Sequence, residues 1–430
     1  MARKMKDSGI EWIGEIPEGW EIKRLGAILQ ERNEVNNPIQ TTSILSLTNN
    51  RGVIPYSEKG NQGNKAKDDL TGYKIAHVGD IVLNSMNVII GSVGLSNYYG
   101  AVSPVYYMLF PRNNIETNIQ YYNYLFQTTA FQQSLRGYGN GILEIRMRIQ
   151  MQKLKTVLLP VPAFLEQSNI TVYLDASLSK LNILIYKTRS SIEEYKKLKQ
   201  AVITQAVTKG VRGEREMKDS GVEWIGEIPK EWVIQKIKSI SSRINVGVVI
   251  RPSEYFDENG TVPFLRGINV KEYLISSDNM VYINESSNHI LSKSQVHTDD
   301  ILIVRDGSIG TSCVVPAEYD SANVVSMVIV TPSISCDSRF ICYSLNSDVG
   351  KTQFTLTKIG SALTHTSVSA VSDIIVAVPS CAEQKEIADY LDAKCAEIDG
   401  LIAKKEQLVK ELESYKKSLI YEVVTGKREV

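Results

Sequence analysis

The sequence has few of the residues that usually carry chemistry or bind metals. Its 430 residues include five cysteines and four histidines. The cysteines all lie in the second half and form no C-x-x-C pair, so we expect buried, reduced thiols rather than a metal site or a disulfide framework. The histidines are too scattered to indicate a metal cluster or a nucleophile–base pair. No catalytic residue and no metal ligand is therefore assigned.

Nucleotide-binding and cofactor-binding motifs are also absent from the sequence. Gly350-Lys351-Thr352 resembles the end of a Walker A loop, but Leu345 stands where that loop has its first glycine. There is no G-x-G-x-x-G turn, and no Asn-Pro-Pro-aromatic or Asp-Pro-Pro-aromatic tetrapeptide of the kind that amino-methyltransferases use. We therefore expect no cofactor site and no enzymatic activity in this chain.

Charge and hydrophobicity limit the classes of partner. Forty-eight basic residues balance 48 acidic ones, so a basic surface for nucleic acid must come from local clustering. No apolar run approaches the roughly 20 residues that span a bilayer, and the segment MARKMKDSGIEW lacks the apolar core of a signal peptide. We expect a cytoplasmic protein that does not bind membranes.

An internal duplication organises the sequence. Residues 5–25, MKDSGIEWIGEIPEGWEIKRL, recur as residues 217–237, MKDSGVEWIGEIPKEWVIQKI, with 14 of 21 positions identical. A second block starts with EQSNITVYLDA at Glu166 and recurs as EQKEIADYLDA at Glu383, at an offset of 217. Between these blocks the similarity is weak but keeps its order, since HVGDIVL aligns with HTDDILI and GSVG with GSIG. The chain is therefore a tandem repeat in which two divergent stretches lie within a shared frame.

The shared long blocks predict two helices with coiled-coil spacing. Adding 217 to each position of the first apolar seam gives the second seam, and both seams carry polar residues at the same two places. Because so long an apolar surface is not stable in water, we expect each helix to pair with the other; for a single shorter stretch, an ordinary core helix would be the preferred interpretation. The first seam consists of Leu174, Leu178, Leu181, Ile185, Thr188, Ile192, Tyr195, Lys199, Val202 and Ala206.

The divergent stretches predict α+β domains. Short β-rich runs such as HVGDIVL, PVYYMLF, DDILIVR and VVSMVIV are followed by helical segments around YYNYLFQTTAFQQSL and FICYSLNSDVGKTQF. The predicted organisation is a globular domain at 1–160, a helix at 161–212, a second globular domain at 213–378 and a second helix at 379–430.

This repeated frame resembles the specificity subunit of type I restriction-modification systems. The features that carry the resemblance are the duplicated EWIGEIP-x-x-W segment, the two variable domains, and the two helices with P-x-x-x-EQ, YLDA and VT. The resemblance implies two target-recognition domains, each reading half of a split site in double-stranded DNA, with the helices paired as an antiparallel coiled coil in a pseudo-two-fold arrangement. It also implies two modification subunits that methylate adenine with S-adenosylmethionine, and two restriction subunits that use ATP and Mg²⁺. A non-catalytic protein-interaction scaffold and a self-sufficient DNA-acting enzyme are the alternatives.

Candidate DNA-binding residues come from the divergent stretches. Base recognition uses Arg, Lys, Asn or Gln side chains, and phosphate contacts use positive charge or backbone N–H groups. The GSVG and GSIG segments fit either a phosphate contact or a simple β-turn. The predicted DNA-binding residues are Arg136, Arg146 and Arg148, around the GYGNG segment of the first domain, and Arg266, Lys271, Arg305 and Lys358 in the second.

Overall fold

The chain divides into two compact units. The computed structural model describes residues 3–49, 51–60, 65–140, 148–359 and 365–430, without the side chains of residues 140 and 357–359. Unit 1 contains Met1–Arg189 and Gln407–Val430, and unit 2 contains Ser190–Glu406. Each unit therefore combines one globular domain with a part of each long helix.

The elements of unit 1 are mostly short strands. Its described helices are α1 (Leu25–Ile28), α2 (Ile119–Phe126), α3 (Thr129–Ser134), α4 (Met151–Leu154) and the first part of α5 (Phe164–Lys209). Its described strands are β1 (Met5–Asp7), β2 (Glu15–Pro17), β3 (Glu21–Arg24), β4 (Leu29–Arg32), β5 (Leu45–Thr48), β6 (Gly52–Pro55), β7 (Lys74–Ala76), β8 (Ile81–Asn84), β9 (Val93–Leu95), β10 (Gly100–Val102), β11 (Tyr106–Pro111), β12 (Gly139–Asn140), β13 (Arg148–Ile149) and β14 (Leu158–Val161).

Unit 2 repeats this plan with local differences. Its described helices are α6 (Glu285–Ile290), α7 (Ser338–Asn346), α8 (Asp348–Ile359), α9 (Val368–Ser372) and most of α10 (Cys381–Val424). Its described strands are β15 (Met217–Asp219), β16 (Glu227–Pro229), β17 (Val233–Lys236), β18 (Ser241–Val246), β19 (Val262–Leu265), β20 (Val270–Lys271), β21 (Leu274–Ile275), β22 (Val281–Ile283), β23 (Ile301–Val304), β24 (Ser312–Val314), β25 (Asn323–Val324), β26 (Met327–Pro332) and β27 (Ile375–Val378).

An equivalent four-stranded antiparallel sheet lies in each globular domain. The strand order is β4-β11-β8-β9 in unit 1 and β18-β26-β23-β24 in unit 2. The central strands β8 and β23 are buried along their whole length, as expected for continuous apolar runs that are covered on both faces. The predicted fold class, two α+β domains that alternate with two long helices, is confirmed.

In each unit, the strand that leads into the divergent stretch pairs with the strand that follows it, and the two form a two-stranded ribbon. In unit 1, β3 pairs antiparallel with β14, so that Arg24 lies opposite Leu158. In unit 2, β17 pairs with β27, so that Lys236 lies opposite Ile375. The start and the end of each divergent stretch are therefore adjacent in space.

The long helices bury the predicted seam. All ten seam positions of α5 and all ten of α10 are buried or half-buried. Thr188, one of the polar positions, is 6% exposed, and its hydroxyl donates to the Leu184 carbonyl one turn earlier. The seam positions are buried together because residues three and four apart lie on one helix face.

Polar contacts show that the helices run antiparallel within each unit. In unit 1, Lys416 donates to Asn182 at 2.8 Å. In unit 2, Lys199 donates to Asp399 at 2.6 Å, and the Lys405 ammonium lies 5.5 Å from the centre of the Tyr195 ring. Within unit 2, the α10 partner moves backwards as the position on α5 moves forwards. The predicted antiparallel pairing is confirmed.

The repeated EQ dipeptide joins each long helix to its own domain. Gln167 is fully buried, accepts the Asn118 N–H at 2.8 Å, and donates to the carbonyls of Glu116 and Pro162 at 3.1 and 2.9 Å. In unit 2, Gln384 makes the corresponding bond with the Asp337 N–H at 2.9 Å.

A second part of this joint involves the tryptophan of the short shared block. The Trp20 indole N–H donates to Glu166 at 2.9 Å, and the Trp232 indole N–H donates to Glu383 at 3.2 Å. Both rings are almost fully buried. The two shared blocks are therefore similar in sequence because they form one structural joint.

Replacing Gln167 with alanine is expected to destabilise unit 1 by about 3 kcal/mol, because three backbone groups lose their partner. Urea unfolding would measure the loss, and hydrogen exchange would locate it in unit 1. Gln40→Ala is the matched control, since the Gln40 side chain is exposed. Equal stability of the two variants would contradict the assigned role.

The cysteines follow the sequence expectation with one exception. Cys313, Cys342 and Cys395 are buried and Cys336 is half-buried, all with free thiols. Burial raises the pKa of the Cys342 thiol to about 12. Cys381 is exposed because it is the first residue of α10, so the expectation of a buried thiol is wrong there.

Candidate DNA-recognition interface

Equivalent edges of the two sheets contain two of the candidate residues, Arg148 and Arg305, and three others lie on neighbouring segments. We call residues 85–92, the turn between β8 and β9, together with β12 and β13, the unit 1 edge. The unit 2 edge is the turn between β23 and β24, residues 305–311, together with residues 365–366. Each edge is held by the same backbone contact: the Ile149 N–H donates to Ser85 O at 2.9 Å, and the Thr366 N–H donates to Arg305 O at 3.1 Å.

Arg305 has the best-defined position of the candidates. It follows β23 directly, is half-buried, and its Nε donates to the Thr366 carbonyl at 3.1 Å. This bond fixes the plane of the guanidinium and uses only one of its five N–H groups. An arginine fixed in this way is suited to a bidentate contact with guanine or phosphate.

The GSIG segment has a structural role in unit 2. Gly307 and Gly310 have φ values of 77° and 89°, in the region that favours glycine. A Cβ at Gly310 would lie 2.4 Å from the Phe354 ring, so the turn packs closely against α8. Of the two alternatives raised by the sequence, this geometry accounts for the turn without a ligand.

Arg266 and Lys271 lie on segments next to the unit 2 edge. The Arg266 guanidinium donates to the Asn279 carbonyl, and its main-chain N–H donates to Asn269 Oδ1 at 3.0 Å. Its Nε is buried without a hydrogen-bond partner among the described residues. Lys271 is exposed on β20, which packs against β23 and β24. The packing of β20 thus places Lys271 on a strand adjacent to this edge.

The unit 1 candidates surround the corresponding edge. Arg148 is exposed on β13, where it pairs with Asn140. Arg136 is exposed in the 3-10 helix Leu135–Tyr138, directly after α3, which packs against the 3-10 turn Val88–Ile90. Neither arginine forms an ion pair with another described residue, and both stay candidates for DNA contact.

The two remaining candidates are not placed. Arg146 lies outside the described residues. Lys358 belongs to α8, but its side chain lies outside the description. Both stay predictions from the sequence.

Asn49 is a candidate that sequence reasoning missed. It follows β5, and its Oδ1 accepts a hydrogen bond from Ser92 Oγ at 2.5 Å, at the unit 1 edge. Asn49 is exposed, and asparagine is a common reader of adenine. The only sequence signal was a TNNRG turn, and nothing in the sequence placed that turn beside GSVG.

The hairpin that carries Lys271 is anchored by Tyr273. The Tyr273 N–H donates to Ser312 O at 3.0 Å, and its ring lies 4.8 Å from the Tyr343 ring, centre to centre. The Tyr273 hydroxyl is buried without a hydrogen-bond partner among the described residues, whereas the Tyr343 hydroxyl donates to Asp392 at 2.7 Å. Removing the hydroxyl group is therefore expected to have opposite effects on stability at these two tyrosines.

Tyr273→Phe is expected to stabilise unit 2 by about 1 kcal/mol, because it removes a buried hydroxyl that lacks a partner. Tyr343→Phe, the matched control, is expected to destabilise it by about 1 kcal/mol through the loss of a satisfied bond to a carboxylate. Urea midpoints of the two variants provide the measurement. Equal destabilisation by both changes would disprove the assignment.

The described residues of both units include neither a candidate metal site nor a candidate membrane-spanning helix. They contain no group of three His, Cys, Asp or Glu side chains placed to hold a metal ion. In that same part of the chain, no helix is long and apolar enough to cross a membrane.

The chain belongs to the type I restriction-modification DNA specificity family. The family's sequence model matches it twice, at residues 17–194 and 229–411, and these matches correspond to the two copies of the repeat. The chain is thus a DNA sequence-specificity subunit, and the alternative of an interaction scaffold is not favoured.

Individual relatives cover nearly the whole chain. The type I restriction enzyme MjaVIII specificity subunit of Methanocaldococcus jannaschii is 24% identical, over 96% of this chain and 93% of the relative. The HsdS subunit from Thermoanaerobacter tengcongensis has a TM-score of 0.55 at 15% identity, over 96% of this chain and 98% of that one. A chain from a study of complex assembly and conformational transition of the type I R-M system has a TM-score of 0.74 at 13% identity, over 96% and 99%. These two structural similarities concern the fold.

Proposed function

We propose that each globular domain reads one half of a split target in double-stranded DNA, through its edge. The observation that carries this proposal is that the two edges have the same backbone contact but different side chains at equivalent positions. The same backbone contact holds Ser85 in unit 1 and Arg305 in unit 2, so equivalent positions present different groups to a base pair. Different half-sites require this kind of difference, because base edges are distinguished by donor and acceptor pattern.

The chain itself performs no chemistry in this proposal. Two modification subunits bind it and methylate adenine at N6 with S-adenosylmethionine, and two restriction subunits add ATP- and Mg²⁺-dependent cleavage. The complex acts in the cytoplasm and does not bind membranes. The target sequence is then set by this chain alone, while every cofactor is bound by its partners.

The test is to co-express the chain with a candidate modification subunit and to map N6-methyladenine across the host genome by single-molecule sequencing. We expect a new split motif with a fixed unread spacer. Exchanging one globular domain for that of a relative should change one half of the motif and leave the other half unchanged.

Two results would contradict the proposal. A stable complex that methylates no motif would favour a scaffold. Methylation or cleavage of plasmid DNA by the purified chain alone would make it an enzyme.

A further inference from the structure

An open groove lies on the surface of unit 1. It is formed by α2, α5 and α10 and has a volume of about 500 Å³. Asn123 and Tyr124 line it from α2, Leu178 and Asn182 from α5, and Lys416 from α10. All of its described lining residues belong to these helices or to the residue that follows α2, so no loop of the globular domain enters it among the described residues.

Unit 2 contains the equivalent positions, and shared contacts fix the correspondence. The Tyr124 hydroxyl donates to Asp175 in unit 1, and the Tyr343 hydroxyl donates to Asp392 in unit 2. The offset is 219 for the tyrosines and 217 for the long helices. The positions of unit 2 that correspond to Asn123, Tyr124, Leu178, Asn182 and Lys416 are Cys342, Tyr343, Cys395, Asp399 and Lys199.

In unit 2 these positions surround a tyrosine ring. Tyr273, at the turn between β20 and β21, has its ring centre 4.8 Å from that of Tyr343 and 5.7 Å from the Lys199 ammonium. It packs against the core cluster that contains Cys395. Burial raises the pKa of Tyr273, with smaller contributions from nearby groups that include Cys342. The five compared positions of the open groove thus have counterparts in the surroundings of this ring.

The backbone of Tyr273 indicates that insertion of the ring is favourable. Its φ is 69°, a left-handed conformation that a bulky residue rarely adopts and that costs about 1–3 kcal/mol. The hairpin keeps this conformation, so the contacts of the ring must offset the cost. The helical surface therefore forms a good binding site for an aromatic side chain.

Among the five compared positions, the charges differ between the two copies in one respect. Lys199 is neutralised by Asp399 at 2.6 Å, whereas Lys416 has the uncharged Asn182 as its partner at 2.8 Å. The Asn182 contact leaves the positive charge of Lys416 unneutralised. A cation at the rim of an open groove attracts the face of an aromatic ring.

We propose that the unit 1 groove receives a tyrosine side chain of a modification subunit, in the way that unit 2 receives its own Tyr273. The inference rests on the proposed function for the identity of the partner, and on the internal copy for the chemistry of the occupant. It also makes the two units unequal, because the equivalent place in unit 2 is already filled.

The chemical class is tested with N-acetyl-L-tyrosinamide as the probe. Ile183 and Ile420 line the groove, so their δ1-methyl groups in the isotopically labelled full chain report binding by NMR. We expect saturable shifts of both methyl signals. N-acetyl-L-leucinamide should cause no such shifts, and Ser179→Trp, which fills the groove from an exposed position of α5, should abolish them. Absence of shifts, or equal shifts with the leucine probe, would overturn the proposal.

The partner is tested by co-expression of the modification subunit with the wild-type chain, Ser179→Trp, Lys416→Ala and Tyr186→Trp. Tyr186 is 74% exposed and does not line the groove, so its variant is the matched control. We expect the first two changes to reduce the modification subunit recovered by affinity purification by about half, because only one of the two subunits uses the groove, and the control to leave recovery unchanged. Thermal unfolding of each variant checks that the fold is intact.

The outcomes separate the two proposals. If the wild-type chain retains no modification subunit, the proposed function fails. If the wild type and Ser179→Trp retain it equally, only the groove assignment fails. A concentration-dependent dimer in light scattering that Ser179→Trp abolishes would assign the groove to a second copy of this chain and overturn the partner.

Discussion

Asp300→Ala is expected to lower the free energy of unfolding of unit 2 by about 3 kcal/mol, because it breaks a buried polar network. Asp300 is 1% exposed and accepts hydrogen bonds from the Arg243 guanidinium at 2.7 Å, the His297 N–H at 2.9 Å and the Thr331 hydroxyl at 2.5 Å. Alanine leaves these donors without their acceptor inside the sheet. Chemical denaturation followed by far-UV circular dichroism measures the loss.

The duplicated chain offers two controls for this experiment. Asp80 occupies the same place in unit 1, bonded to Arg32 at 2.9 Å, so Asp80→Ala should destabilise unit 1 and leave unit 2 intact. Asp278 is exposed, and its replacement by alanine should cost little. Hydrogen exchange would distinguish the units. Equal protection of unit 2 in Asp300→Ala and in the wild type would refute the prediction.

Arg305→Ala is expected to reduce methylation of the target at least about tenfold, through weaker recognition of one half-site only, because a bidentate base contact contributes about 1–3 kcal/mol. The measurement compares methylation rates on duplexes in which the half-site read by the second domain is intact or scrambled. The wild-type complex should discriminate strongly between them, and Arg305→Ala should discriminate weakly. Discrimination at the other half-site should not change.

Two variants define what this result means. Arg305→Lys keeps the charge but loses the planar fork, so it should recover phosphate-dependent affinity without discrimination. Arg251 has a 76% exposed side chain and pairs with Glu254, and Arg251→Ala should behave as the wild type. If Arg305→Ala discriminated between the intact and scrambled half-sites as well as the wild type, Arg305 would not be a recognition residue.

Much of the fold could be predicted because the chain contains two copies of one pattern. The seam positions were found from spacing and confirmed by burial, since helix period and burial have the same physical cause. The role of Gln167 could not be predicted, because a polar residue at the start of a helix is normally exposed. Its bonds join segments about 50 residues apart, and only the folded chain brings them together.

The candidate site was predictable in part. Arg305 was identified because it stands between an apolar run and GSIG. The structure shows that this apolar run is β23, which ends at the residue before Arg305. Asn49 was missed because its proximity to Ser92 depends on how β5 packs on the sheet, a long-range contact. The partner of Arg266 also required the structure, since Asn279 belongs to a later loop. Residue type identifies such candidates, and only tertiary contacts place them.

The ribbons β3–β14 and β17–β27 bear on how new specificities arise. Because the first and last residues of each divergent stretch are hydrogen-bonded neighbours, a foreign domain with the same ribbon can be inserted by two crossovers without moving the frame. Gln167 and Gln384 lie outside those crossovers, and they bind main-chain groups of the domain, such as the Asn118 N–H, that a foreign domain with the same backbone also supplies. A recombination event can therefore change the recognition residues of one domain in one step, while the long helices and the other frame residues outside the crossovers are inherited unchanged.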